Sequence, residues 1–471
     1  MRGSLKIVFL LFLITSSLAS NADIMKKDAF LDSIPKEWEY SSKYKQEFPT
    51  DDDWWKIFGD ELLDSLIAEG EANNFNLLQA ARRIEMSRQA LRKARSPYYP
   101  QFSLDAGWSK SRESGSLYKS RTNPTTMSYF SAGIDMSWEI DVFGKIRSNV
   151  KEAKANVNAS RADYASVSIS LCAEIASSYV QLRMLQEELS VNEEHVKSQE
   201  QVLNITEARF ETGLASMLDV AQAKTVYYST LATISSLKSQ ITTTINSIAV
   251  LVGEYPENMR ARLSVARPQL APNQPVYVGI PMDLIRRRPD VVEAEYELAS
   301  YAAALGVAKK DFLPTISLTG SIGTSAHNIS DVVKNNSFTY SIAPTLSWTI
   351  FSGFARSAEV ASAKEQMLAG IDNYNLTLLT AIEEVDNAMA TYFEAQVYQK
   401  RIEEVLVNAQ LAFDLALDRY KQGLDAFINV ADAQITLLQY ATELVEAKGD
   451  ALTALISLYK ALGGGWNIDK L

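Results

Sequence analysis

The chain has 471 residues, 47% of them apolar and 22% charged, and a formal charge of -11. Those fractions exclude a disordered tail and a polytopic α-helical membrane protein. The negative balance argues against a nucleic-acid binder, which needs clustered Lys and Arg, and one cysteine with two histidines excludes an internal disulfide, a multi-cysteine metal site and a His-rich metal centre.

In chain order, Arg2 and Lys6 flank an apolar run over 7–13, followed by Ser16, Ser17, Ala19 and Ala22. Basic, greasy, then small is the order of a secretory signal, so 1–22 is expected to be removed. The apolar run is too short to span a bilayer as a helix. The only cysteine, Cys172, is far from the cleavage site, so no N-terminal lipid anchor is expected. Residues 23–59 read as an extended N-terminal periplasmic segment. In it Asp51, Asp52 and Asp53 lack the spacing and distal Glu of a calcium loop and read as solvated. No later run of 18 apolar residues exists, so an exported chain of this kind enters a membrane only as a β-barrel.

The remainder is a duplication at an offset of about 210 residues. Arg209-Phe210-Glu211-Thr212-Gly213-Leu214 lies over Arg419-Tyr420-Lys421-Gln422-Gly423-Leu424, and Ser137-Trp138 over Ser347-Trp348. The repeats are 60–253 and 282–464. A Pro-rich connector over 254–281 reads as extended and non-helical, and 465–471 is a short tail. Each repeat has two stretches of period two, hence strands: 101–109 and 128–140 in the first, 314–323 and 338–350 in the second. On one face lie Ile134, Met136, Trp138, Ile342, Leu346 and Trp348, which are expected to meet lipid. The other face is Ser, Thr and Gly, as in a narrow wetted interior, and aromatics gather at the strand ends. Four strands cannot close a channel, so the chain must oligomerise, and a trimer would supply twelve.

Residues 145–212 contain no Gly or Pro and predict a helix of 145–211, about 100 Å long at 1.5 Å per residue. Helices over 74–95 and 216–253 flank it. The second repeat gives 290–310, 355–421 and 426–463, the last with coiled-coil spacing at Leu438, Ala441, Val445, Leu452, Leu455, Tyr459 and Leu462.

Four blocks then carry a resemblance: Trp54-Trp55-Lys56-Ile57-Phe58-Gly59-Asp60-Glu61-Leu62; residues 137–147 from Ser137-Trp138-Glu139; residues 280–290 around Arg286-Arg287-Arg288-Pro289-Asp290; and residues 306–320 through Phe312-Leu313-Pro314-Thr315. In this order the chain resembles the TolC-like outer membrane factor family, in particular the branch serving resistance-nodulation-division pumps. The resemblance implies an α+β membrane protein. Its trimeric twelve-stranded outer-membrane β-barrel, four strands per chain, would be continuous with a long α-helical periplasmic barrel. It implies a homotrimer in outer membrane lipid, a periplasmic adaptor (membrane fusion) protein and an inner-membrane resistance-nodulation-division transporter as partners. No cofactor, metal or nucleic acid is implied, and the duct conducts rather than catalyses.

On the same basis Asp432 and Ile428, one helical turn apart, are expected at a periplasmic gate, with Asn429 where some members carry a second Asp. Asp219 and Tyr420 occupy places that can latch neighbouring coils. Gly213 and Gly423 make tight turns that only glycine adopts cheaply, and these tips would meet the adaptor. The Arg286–Arg288 run reads as structural, and Cys172 as a small buried residue. No Ser–His–Asp set, phosphate loop or zinc spacing appears, so no enzyme is expected. Rival readings are an exit duct for type I protein secretion or metal efflux, and a soluble periplasmic coiled-coil scaffold.

Overall fold

The computed structural model describes residues 53–114, 125–272, 287–464 and Trp466. The signal segment, most of 23–59, connector residues 273–281 and all of the tail but Trp466 lie outside the described residues. The chain forms two compact units: Met1–Arg82 with Arg161–Glu293 and Asn375–Leu471, and Arg83–Ser160 with Ala294–Tyr374.

The second unit holds one antiparallel sheet of β1 (Gln101–Glu113), β2 (Thr125–Ile140), β3 (Thr315–Ala326) and β4 (Phe338–Ser347), in the order β1-β2-β3-β4. Its register aligns the period-two faces. Leu104, Ile134, Ile322 and Tyr340 form one cross-strand row, and Phe102, Met136, Gly320 and Ile342 the next but one. Between them runs Ser103, Asp135, Ser321 and Ser341, pointing to the opposite side. Gly133 pairs with Gly323, where the strands approach so closely that a Cβ on Gly323 would lie 2.6 Å from the Ala132 carbonyl oxygen.

The strand ends differ from expectation. β1, β2 and β3 run a few residues further at their hairpin ends, while β4 stops at Ser347, opposite Thr315. The residue before Thr315 is Pro314, which has no N–H to extend the ladder. Trp348 therefore lies outside the strand, its indole N–H donating to the Phe312 carbonyl at 3.0 Å. Trp138 makes the matching bond to Tyr98 at 3.1 Å in the first repeat.

The helices are α1 (Glu61–Asn73), α2 (Phe75–Arg95), α3 (Lys145–Glu211), α4 (Met217–Val252), α5 (Pro256–Leu263), α6 (Pro289–Lys310), α7 (Ala355–Lys421) and α8 (Phe427–Ala461). The long pair, α3 and α7, have 67 residues each. The Asp141 carboxylate accepts from the Ile146 and Arg147 N–H groups, anchoring the start of α3. The connector is not wholly extended as expected, because α5 lies within it. Pro256 stands at the first helical position, where its missing N–H has no helical partner to lose and its fixed φ favours a start. Trp54–Phe58 is likewise a short 3-10 helix rather than extended chain.

The first unit's main core packs Trp54, Leu63, Leu66, Tyr179, Ile248, Leu263 and Leu455, with the Trp54 and Tyr459 rings stacked at 5.5 Å. Buried Arg183 donates to the Tyr179 hydroxyl at 2.7 Å and to Gln186 at 2.6 Å. Tyr179 in turn donates to Asp60 at 2.9 Å. Arg288, also buried, donates to Asp290, to Glu384 and to the Ala461 carbonyl at 2.7, 2.5 and 2.8 Å. One member of the arginine run thus joins the start of α6 to α7 and the end of α8. Cys172 is buried beside Glu71, and burial, with that carboxylate, raises its thiol pKa far above the ordinary value.

Candidate gate and membrane sheet

Both hairpin turns of the first unit are built alike. Gly213 and Gly423 each have φ +74°. The Leu214 N–H reaches the Arg209 carbonyl at 2.8 Å, and the Leu424 N–H reaches that of Arg419 at 2.9 Å. This is the left-handed helix end that glycine permits. No atom would obstruct a Cβ at Gly213, so the dihedral, not space, requires glycine there.

The duplication breaks immediately after the turns. In the first hairpin Ser216 caps α4: its hydroxyl accepts from the Asp219 N–H at 3.2 Å, and the Asp219 carboxylate accepts from the Ser216 N–H at 2.9 Å. In the second hairpin those places hold Ala426 and Asn429, which cannot make that box. Asp425 substitutes for it, accepting from the Ala426 N–H at 2.9 Å and from the Asn429 amide at 2.5 Å. Arg419 donates to the other carboxylate oxygen at 3.2 Å. The Asn429 bond first, then the Ala426 N–H and Arg419, hold the Asp425 carboxyl below its ordinary pKa. Asp425 was not among the residues singled out from sequence. Its signal was an acid beside a helix start, facing a repeat partner, Ala215, that carries no charge.

Asp432, Ile428 and Asn429 all lie exposed on the first two turns of α8. Ile428 and Asp432 share a face by their spacing, while Asn429 is turned back to Asp425. The structure does not join Asp219 to Tyr420 within one chain. The Asp219 carboxylate is engaged by its helix cap. The Tyr420 ring is buried against Phe427 at 5.4 Å, with the Arg209 guanidinium 4.7 Å from its centroid. Its hydroxyl has no hydrogen-bond partner among the described residues. Arg209 also donates to the Lys421 carbonyl at 3.0 Å, tying the two hairpins together at their tips.

In the sheet, Ile134, Met136 and Trp138 of β2 share a face with Ile342 and Leu346 of β4. Ile134, Ile342 and Leu346 remain exposed in the single chain. Among the described residues β1 and β4 each pair on one side only. No helix of the described residues is long and apolar enough to cross a membrane. Among them no cluster of His, Cys, Asp and Glu could hold a metal ion.

A four-stranded antiparallel sheet with one coherent apolar face, made of two hairpins that are each followed in the chain by a 67-residue helix, defines a class: outer-membrane channel subunits. The model of the outer membrane efflux protein family matches over residues 66–254 and 280–464. The chain is 31% identical over 417 residues to a protein of Pseudomonas putida named probable efflux pump outer membrane protein TtgC, covering 88% of this chain and 85% of that one. It is 31% identical over 414 residues to nodulation protein T of Rhizobium leguminosarum bv. trifolii, covering 88% of each. The solved structure of the outer-membrane channel OprN aligns with TM-score 0.87 at 26% identity, over 92% of this chain and 97% of that one. The chain belongs to the outer membrane efflux protein family.

Proposed function

We propose that three copies of this chain form the exit duct of a tripartite efflux pump. They conduct small molecules passively from an inner-membrane transporter of the resistance-nodulation-division type, through a periplasmic adaptor, to the cell exterior. The observation that carries this reading is the sheet: two unpaired edges and one continuous apolar face. Open edges in a bilayer leave backbone groups without partners, which only closure removes. Three copies joined β4 to β1 close a barrel of twelve strands. Ile134, Met136, Ile342 and Leu346 then face lipid, with Trp138 and Trp348 toward one boundary. Ser103, Asp135, Ser321 and Ser341 line water.

The hairpin turns at Gly213 and Gly423 meet the adaptor, and Asp432 with Ile428 forms the gate. Three Asp432 carboxylates brought toward one axis repel one another and attract cations, more strongly where water is scarce and the effective dielectric falls. Asn429 adds no charge and is held by Asp425. The chain is exported by a signal over 1–22. Light scattering in detergent tests the assembly. A trimer extracted only with detergent is expected, and a monodisperse monomer in detergent-free buffer would overturn the proposal.

A further inference from the structure

The face of β1 that carries Phe102, Leu104 and Trp108 ends in charge: its next two residues toward the hairpin are Lys110 and Arg112, both exposed. The register sets Ser128 directly across from Lys110, and Thr126 across from Arg112. Opposed residues on one face of an antiparallel pair have Cβ atoms about 4.5–5.5 Å apart, so two cations and two hydroxyls form one patch. Among the described residues no carboxylate pairs with either cation. The adjacent acid, Glu113, has the opposite parity and points to the other face.

The second repeat lacks this patch. At the offset that lays Ser103-Leu104 over Ser317-Leu318, Lys110 and Arg112 fall on Thr324 and Ala326. In that hairpin Lys334 is neutralised by Asp331 at 2.6 Å. A strand end of this fold therefore does not in itself require unpaired cations.

Depth decides what the patch meets. Trp108 and Phe130, with rings 6.4 Å apart, mark the aromatic level at the hairpin end of the apolar band. At about 3.3 Å per residue and a tilt near 40°, Lys110 stands roughly 5 Å and Arg112 roughly 10 Å beyond Trp108. That is the headgroup layer. The helices α3 and α7 follow the other ends of β2 and β4, so in the proposed barrel this is the outer leaflet. Arg presents parallel N–H donors, Lys a compact positive charge, and Ser and Thr neutral O–H donors, a set that suits phosphate oxygens.

We propose that Lys110 and Arg112, with Ser128 and Thr126, bind the phosphate of a phosphorylated glycolipid in the outer leaflet. The proposal rests on the barrel reading above and adds a lipid ligand to it.

The test uses the full-length protein in detergent, with wild type and every variant first shown by light scattering to be trimeric. Native mass spectrometry then follows the binding of diphosphoryl lipid A, of lipid A stripped of its phosphates, and of phosphatidylglycerol. Diphosphoryl lipid A is expected to bind most tightly, and millimolar inorganic phosphate to leave it in place. Lys110→Gln with Arg112→Gln is expected to weaken that binding by roughly 30-fold, from about 1 kcal/mol per cation near an anionic surface. Lys110→Arg with Arg112→Lys should retain it. Lys197→Gln with Lys400→Gln, which removes the same charge from exposed positions on α3 and α7, should also leave it unchanged. Equal loss in the two Gln pairs, or equal binding of the stripped lipid, overturns the site. Phosphatidylglycerol binding as tightly overturns the glycolipid assignment, and displacement by inorganic phosphate assigns the patch to the free anion instead. A wild-type protein that is not trimeric overturns the barrel reading itself.

Discussion

Ile134→Arg tests the orientation of the sheet. Ile134 lies between Leu104 and Ile322 in the cross-strand row. Four residues to one side is Phe130, whose ring is 6.4 Å from that of Trp108, and four residues to the other is Trp138. At about 3.3 Å per residue and a tilt near 40°, these aromatic levels stand roughly 20 Å apart. Ile134 is thus midway through the apolar band. An Arg there costs about 2–4 kcal/mol on the lipid face, a factor of roughly 30 to 1,000 in the folding equilibrium. Thr345→Arg is the control: Thr345 pairs with Ser317 on the opposite face, and its arginine would stand in water. Both variants are refolded into lipid vesicles and titrated with urea. Ile134→Arg is expected to show the large loss and Thr345→Arg little. Equal losses would refute the assignment of faces.

Other consequences concern the tips and the core. Asp432→Ala should weaken block by multivalent cations and shift selectivity toward anions in planar-bilayer recordings, and unchanged block would place the gate charge elsewhere. Tyr420→Phe should leave resting conductance unchanged, because the hydroxyl has no partner among the described residues. A rise would reveal a bond made between copies. Asp425 has its carboxyl pKa lowered by folding, so its stabilisation of the second hairpin is present above its unfolded pKa and is lost as pH falls through the folded one. Hydrogen exchange at the 424–429 amides should accelerate over that acidic window, and Asp425→Asn should remove the step. Tyr179→Phe leaves Arg183 and Asp60 each short of a partner in the first unit's core, at about 1–3 kcal/mol. Thermal unfolding of the variant should come earlier, and an unchanged midpoint would show that the network reorganises.

The long helices were legible because their boundaries are chemical: α3 and α7 match the expected residues at both ends, where Gly213 and Gly423 force left-handed turns. The strand faces were legible because period two survives in every strand. The end of β4 was less so, since the alternation continues through Trp348 while the ladder depends on its partner, and Pro314 has no N–H to give. The helix inside the connector was hidden because proline was read as a breaker, although Pro256 at a first helical position starts one. At the tips, the resemblance puts Asp219 and Tyr420 at places that can latch neighbouring coils. The capping box at Ser216 and the packing of Tyr420 on Phe427 commit both side chains locally, and only coordinates show that. Asp425 was overlooked for a related reason: its role follows from what its repeat lost, the Ser and Asp of the first cap.

The most direct test of the central claim is single-channel recording of the purified protein in a planar bilayer. The account predicts a narrow, cation-selective conductance, blocked by multivalent cations added on the side of the helical tips. No conductance from correctly assembled trimers, or an anion-selective one indifferent to those cations, would contradict it.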